Sequence, residues 1–179
     1  CGVEIAESYR IFLRPGLADS QNLAETLTVS RQVSEILTNK KVKDAIAEVH
    51  KFGASSHTVQ KTILEQMQSI GFVSEKKGLF ASYKVSGIRP DYFKPLVGGG
   101  ILFEVERGKT IANNMDLLDV WKTHLCKEAK HLFLLVPRIR VTEKGGAQKV
   151  FNTVENRIET FFLSESTPID VHSVHLFGY

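Results

Sequence analysis

A run of six residues, His131 to Val136, constrains this chain more than any other segment. The stretch His-Leu-Phe-Leu-Leu-Val has no polar alternation, so it suits a strand covered on both faces. Helices must then lie on either side of a sheet, and the rest of the sequence provides them. The signals run in the order helices, three strands, helix, strand, helix, strand. This predicts one α/β domain with a central β-sheet flanked by helices and an N-terminal helical segment. A length of 179 residues fits a single domain with a substantial core.

The first third reads as helical. Asp19 or Ser20 is a candidate N-cap, and Leu23, Leu27, Ile36 and Leu37 repeat at near-helical spacing. A second helix carries Val42, Ala45, Ile46 and Val49. A third, capped by Ser55 or Ser56, carries Val59, Ile63, Met67 and Ile70 up to Gly71. Leu79 to Val85, Ile88 to Lys94 and Ile101 to Glu106 then read as strands, with a tight turn at Ser86-Gly87. Pro95 to Gly100 is a flexible connection, whose Gly98-Gly99-Gly100 reads as a turn that lets two strands approach. Pro90 argues for an edge or bulged position in the second, because it has no ladder N–H to give. Leu117, Val120, Trp121 and Leu125 mark a helix over about 113–127. A basic loop over 138–149, a helix over 147–163 and a strand over 169–177 close the chain. The expected division is an N-terminal helical part at 1–56, a core at 57–137 and a C-terminal helix and strand at 138–179.

Composition narrows the function classes. Hydrophobic residues make up 42% and charged residues 24%, ordinary for a soluble globular protein. No apolar run approaches the roughly 18 residues of a membrane helix, and no signal-peptide pattern opens the sequence. Cys1 and Cys126 are too few for a disulfide scaffold, so a reducing cytoplasm is the expected setting, with Cys126 a small buried apolar group. The net charge of +3 permits a polyanionic partner without requiring one.

Chemistry concentrates where the second and third strand segments meet. Asp91 lies within the former, and Glu104 and Glu106 end the latter in Phe-Glu-Val-Glu. Residues two apart on a strand share a face, so Glu104 and Glu106 point together, and a hairpin can bring Asp91 opposite them. Three carboxylates there would repel one another unless a cation neutralised them. Such hard oxygen ligands suit Mg2+, with Mn2+ as a possible substitute. A metal so held can polarise a phosphate and activate water, with Glu106 as a further ligand or water-orienting group and Lys109 near developing negative charge.

The order Pro90-Asp91, a hairpin, Glu104-Val105-Glu106, then a helix and a buried strand resembles the PD-(D/E)xK nuclease superfamily, over about residues 57–137. The resemblance implies a restriction-endonuclease-like core with a mixed sheet, and an acid on a preceding helix, for which Glu65 is the matching residue. The family's usual lysine falls on Glu106. That departure, with Asn113-Asn114 opening the next helix, is similar to the Glu-x-Glu branch of type II restriction endonucleases. It implies metal-dependent cleavage of double-stranded DNA, as a homodimer on a palindromic site. A repair or mobile-element nuclease, a catalytically inactive DNA-binding member and an enzyme acting on small phosphates are the alternatives.

Arg107, Lys109, Arg138, Arg140 and Lys144, with Lys149 and the Lys76-Lys77 turn, are candidate phosphate contacts around the acids. Lys40-Lys41-Val42-Lys43 reads as a helix boundary. Gly108-Lys109-Thr110 fails as a phosphate loop, since the motif's first glycine would fall on Phe103. His172 and His175 are expected on opposite faces of a strand, and His124 and His131 as surface or capping residues, so no zinc set emerges.

Overall fold

The computed structural model describes residues 3–179 apart from 7, 18–20, 52, 54, 85–86, 143–144 and 164–168. Cys1, the Asp19/Ser20 cap, Ser86 of the predicted turn and Lys144 therefore lie outside the described residues. Nine strands and six helices are described: β1 (Val3–Ala6), β2 (Tyr9–Leu13), α1 (Gln21–Thr38), α2 (Lys40–Val49), α3 (Ser56–Thr62), α4 (Leu64–Ser69), β3 (Val73–Ser74), β4 (Tyr92–Lys94), β5 (Gly100–Val105), α5 (Met115–Leu125), β6 (Ala129–Val136), β7 (Arg140–Val141), β8 (Ala147–Gln148), α6 (Val150–Glu159) and β9 (Ser173–Gly178).

Seven strands form one mixed sheet in the order β1-β2-β9-β6-β5-β4-β3, and β7 and β8 form a separate hairpin. β5, β6 and β9 run parallel. Each step between them needs a crossover, and α5 and α6 provide the two. The other pairings in the sheet are antiparallel. β6 is the central strand, and Leu132 to Val136 are fully buried. Its even residues, Leu132, Leu134 and Val136, pack under α5 and α6 with Val120, Val154 and Ile158. Phe133 and Leu135 pack on the opposite face with Val33, Ile46, Val59 and Met67 from α1 to α4. Each such side chain stabilises the fold by roughly 1.5–3 kcal/mol. The α/β architecture with a mixed sheet flanked by helices is as expected, and Cys126 is buried in the α5/α6 layer.

Several boundaries differ from the sequence expectation. The chain does not begin helically: β1 and β2 form a hairpin, and Tyr9 to Leu13 pair with Phe177 to Ser173 of β9. The predicted strand at Leu79–Val85 is instead a series of turns over its described part, because Leu79 and Phe80 both insert into one core layer, which alternating strand side chains cannot do. Beyond Pro90, the predicted strand shrinks to Tyr92–Lys94. The third predicted helix breaks at Ile63 into α3 and α4. Part of the predicted basic loop is the β7-β8 hairpin, so α6 starts only at Val150. The triple glycine does make the β4-β5 turn. Gly98 has φ +85°, and a Cβ on Gly100 would come within 2.7 Å of the Lys94 carbonyl. His131 is fully buried rather than a surface residue, because its ring bonds to Ser173 and Asn22.

Candidate active site

The β4-β5 register pairs Tyr92 with Phe103 and Phe93 with Leu102, so extending it by one residue sets Asp91 beside Glu104. Phe93 and Leu102 face the α5/α6 layer, and strand alternation turns Asp91 and Glu104 the same way. The Asp91 carboxylate accepts the Val105 N–H at 2.8 Å, and the Asp91 N–H lies 3.4 Å from Glu104 Oε2. Glu104 is only 4% exposed. Glu104 sits toward the C-terminal end of β5, the first of the parallel strands, and Asp91 joins it from the start of the antiparallel neighbour β4.

A lysine that the sequence pattern does not single out completes this group. Lys122 reaches across from α5, its ammonium 3.0 Å from Glu104 Oε1 and 3.2 Å from Asp119 Oδ1. The stripe Leu117, Val120, Trp121 and Leu125 predicts a different inward face for this helix. The helix is in fact rotated. Asp116, Asp119, Val120 and Thr123 are buried, whereas Leu118, Trp121 and Leu125 face outward. Burying two acids demands partners: Lys122 serves Asp119, and Arg157 of α6 lies 3.1 Å from Asp116. The signal available in the sequence is the i, i+3, i+7 spacing of Asp116, Asp119 and Thr123, polar residues in register with Val120.

The electrostatics are out of balance. Burial, then the nearby Asp119 charge, pushes Glu104 well above the usual carboxylate range, against the pull of Lys122. Glu106 is pushed up to about 8 by burial and then by Asp119 and Asp91. Asp119 is raised to about 6 by burial, tempered by Lys122. Asp91 is raised by burial, offset in part by the Val105 amide and Lys122. For Lys122, burial favours loss of the proton, yet Glu104 and Asp119 outweigh it and keep the ammonium charged. One of Asp119's oxygens, Oδ2, is buried without a hydrogen-bond partner. Ionising every carboxyl would leave more negative charge than Lys122 neutralises, so these groups retain protons more readily than usual, and a cation would favour their ionised forms.

Glu106 stays within reach of this group, since the charges of Asp119 and Asp91 raise its carboxyl, and the remaining candidates are dispersed. Glu106 lies one residue past β5, half-buried, and its carbonyl accepts the Tyr179 hydroxyl at 3.1 Å. Glu65 is exposed on α4, whose buried Met67 packs in the layer on the other side of the sheet, so it is not brought to Asp91 and Glu104. The side chain from the helices that does reach strand β4 is Gln60, which donates to the Asp91 carbonyl at 3.2 Å and accepts the Tyr92 hydroxyl at its own carbonyl. Arg107 is buried at 7% exposure with its guanidinium on the Lys51 carbonyl, so it braces the α2-α3 connection. Lys109 and Arg138 are exposed, and Arg140 opens β7. Arg138 and the β7-β8 hairpin follow directly on β6, at the sheet end where β5 delivers Glu104.

Among the described residues, no three His, Cys, Asp or Glu side chains stand together as a ready metal-binding group. Asp91 and Glu104 nevertheless suit Mg2+ by donor chemistry, since that ion typically takes one or two carboxylates and completes its shell with water and phosphate. No helix among the described residues is long and apolar enough to cross a membrane. No protein-family model matches the chain, and no curated protein matches it.

Proposed function

We propose that this chain is a Mg2+-dependent endonuclease of the PD-(D/E)xK type that hydrolyses phosphodiester bonds in double-stranded DNA. The observation that carries the reading is the Asp91–Glu104–Lys122 group, two carboxylates from adjacent strands with an ammonium 3.0 Å from one of them. In the family pattern a lysine would stand where this chain has Glu106. Lys122 supplies a cation to the same carboxylate from the following helix, which answers the one departure from that pattern.

Asp91 and Glu104 would hold Mg2+, or Mn2+ in its place, and the bound ion would polarise the scissile phosphate and lower the pKa of attacking water. Lys122 offsets negative charge that develops on the phosphate. Glu106, with its carboxyl raised to about 8, is mostly protonated at neutral pH and becomes a base for the attacking water as pH rises toward 8 or as a bound cation lowers its pKa. Lys109 and Arg140 are the described side chains that would meet DNA phosphates, whereas Arg138 lines a pocket beside α1 and α2. A homodimer on a palindromic site, as in type II restriction enzymes, is the assembly that matches two sites to two strands.

The metal reading predicts a pH-dependent stabilisation. Carboxyls raised above their unfolded values contribute stability at low pH, and it is lost as pH rises through the folded values. For Asp119 and Glu106 the windows run from 3.8 to about 6 and from 4.5 to about 8. Mg2+ should therefore raise Tm markedly at pH 8 and hardly at pH 5. Equal shifts at both values would count against a metal among these acids.

Glu106→Gln is expected to leave Tm nearly unchanged at pH 5, where Glu106 is already protonated, and to change the metal requirement for cleavage at pH 8. Full activity with unchanged metal affinity in this variant would remove Glu106 from the site. The function itself is tested by incubating the chain with supercoiled plasmid and Mg2+ or Mn2+. Nicked or linear product supports it, and intact plasmid with both metals refutes it.

A further inference from the structure

On the face of the sheet opposite the carboxylates, a pocket of about 490 Å3 opens between α1, α2 and the adjoining ends of β2 and β9. Sites for small organic ligands fall in this size range. Its interior is apolar and partly aromatic: Leu37 and Ile46 from the helices, Tyr9 and Phe177 from the sheet. The two aromatic rings stack with centroids 4.8 Å apart, which stiffens that wall. Lys43, Arg138 and His50 also line the pocket, and no Asp or Glu does so among the described residues.

His50 carries a specific requirement. Its Nε2 lies 3.2 Å from the Ile139 carbonyl, and its Nδ1 is buried with no hydrogen-bond partner. With the proton on Nε2, Nδ1 is an unmet lone pair closed off from solvent, and a ligand donor reaches it when the ring turns toward the pocket. The hydroxyl-bearing Ser34 and Thr38 of α1 also line the pocket. An acyl chain would fill the apolar part and make no use of the cations Lys43 and Arg138. A bare anion would meet the cations and leave the apolar part wet. A flat heteroaromatic ring with donors on its edge and an anionic tail satisfies both.

We propose that this pocket binds a nucleotide, its base against the apolar wall with an edge donor toward His50, and its phosphate between Lys43 and Arg138. The base can belong to a free mononucleotide or to a residue drawn out of a polynucleotide, and the chemistry of recognition is the same. The Tyr179 hydroxyl, on a residue that lines the pocket, donates to the Glu106 carbonyl at 3.1 Å, so an occupant sits one side chain from the end of β5. The assignment does not rest on the nuclease reading.

Amide chemical shifts of the full chain, recorded during titration with dAMP, deoxyadenosine and inorganic phosphate, test it. Binding of dAMP should move Leu37, Ala47, His50 and Tyr179. Ala47→Trp, at an exposed position of α2 that lines the pocket, should weaken it by about tenfold or more by occupying the space. Lys43→Ala should weaken dAMP and leave deoxyadenosine unchanged. A DNA duplex carrying 2-aminopurine separates the sources. Fluorescence that rises with wild type and not with Ala47→Trp assigns the pocket to a polynucleotide base, and dAMP shifts without that rise assign it to a free nucleotide. The proposal is overturned if phosphate alone reproduces the shifts. It is also overturned if neither dAMP shifts nor a fluorescence rise is seen. Neither readout is DNA cleavage, so each reading can fail without the other.

Discussion

Replacing Lys122 by Met should destabilise the fold by roughly 3 kcal/mol at pH 8 and much less at pH 5. Met keeps most of the apolar stem, so the change is chiefly the loss of the ammonium. Glu104 and Asp119, at 4% and 0% exposure, then keep their burial without their common cation. Removing one partner of a buried pair costs about 3–5 kcal/mol, and the lower end applies because Lys122 retains 21% exposure. At low pH the two carboxyls escape the penalty by taking up protons. Their folded pKa values already lie above the ordinary range and rise further without Lys122. The difference in stability between wild type and variant should thus widen as pH rises, which urea unfolding at the two pH values would measure. An equal loss at both would mean that packing, not charge, holds this helix. Cleavage of DNA should fall as well, and Mg2+ should rescue stability in the variant more than in wild type.

Asp91→Asn and Glu104→Gln are expected to separate stability from activity. Each preserves shape, and the amide oxygen introduced by Asp91→Asn can still accept the Val105 N–H now bonded at 2.8 Å. Each also removes one negative charge from a cluster with too many, so Tm should hold or rise in the absence of metal. Metal-dependent cleavage should drop by about a hundredfold or more, the least expected when a ligand itself is lost, since even its supporting contacts carry about 10–100-fold. On the proposed function, DNA binding measured by gel shift should persist, because that reading assigns these residues to the metal and not to phosphate contact. A large fall in Tm with unchanged cleavage would instead make them structural acids.

Much of the fold is legible in the sequence because one pattern dominates each buried element. The unbroken apolar run of β6 and the Ile-Leu-Phe of β5 admit little but strands covered on both faces. The acid pair is legible for the same reason: two carboxylates in an apolar hairpin stand out against burial statistics. Helix α5 is not, because its inward face departs from its hydrophobic stripe. Ion pairs made across the fold, Lys122 to Glu104 and Arg157 to Asp116, turn its acidic side inward, and no local pattern records partners so distant in the chain. The β1-β2 hairpin escapes the sequence pattern because β2 finds its main partner in β9, at the far end of the chain, and Tyr-Arg-Ile-Phe-Leu alone is too short to decide. Arg107 resembles a phosphate contact by sequence proximity, but past the end of β5 its guanidinium donates to the Lys51 carbonyl.

The most direct test is a side-by-side cleavage measurement on supercoiled plasmid with wild type, Asp91→Ala and Glu104→Ala, each with Mg2+, with Mn2+ and with chelator. Metal-dependent cleavage by wild type, absent in both variants while their circular dichroism spectra stay folded, is the predicted result. Cleavage that survives both substitutions, or that proceeds equally in chelator, would contradict the assignment of this carboxylate pair as the metal-dependent catalytic centre.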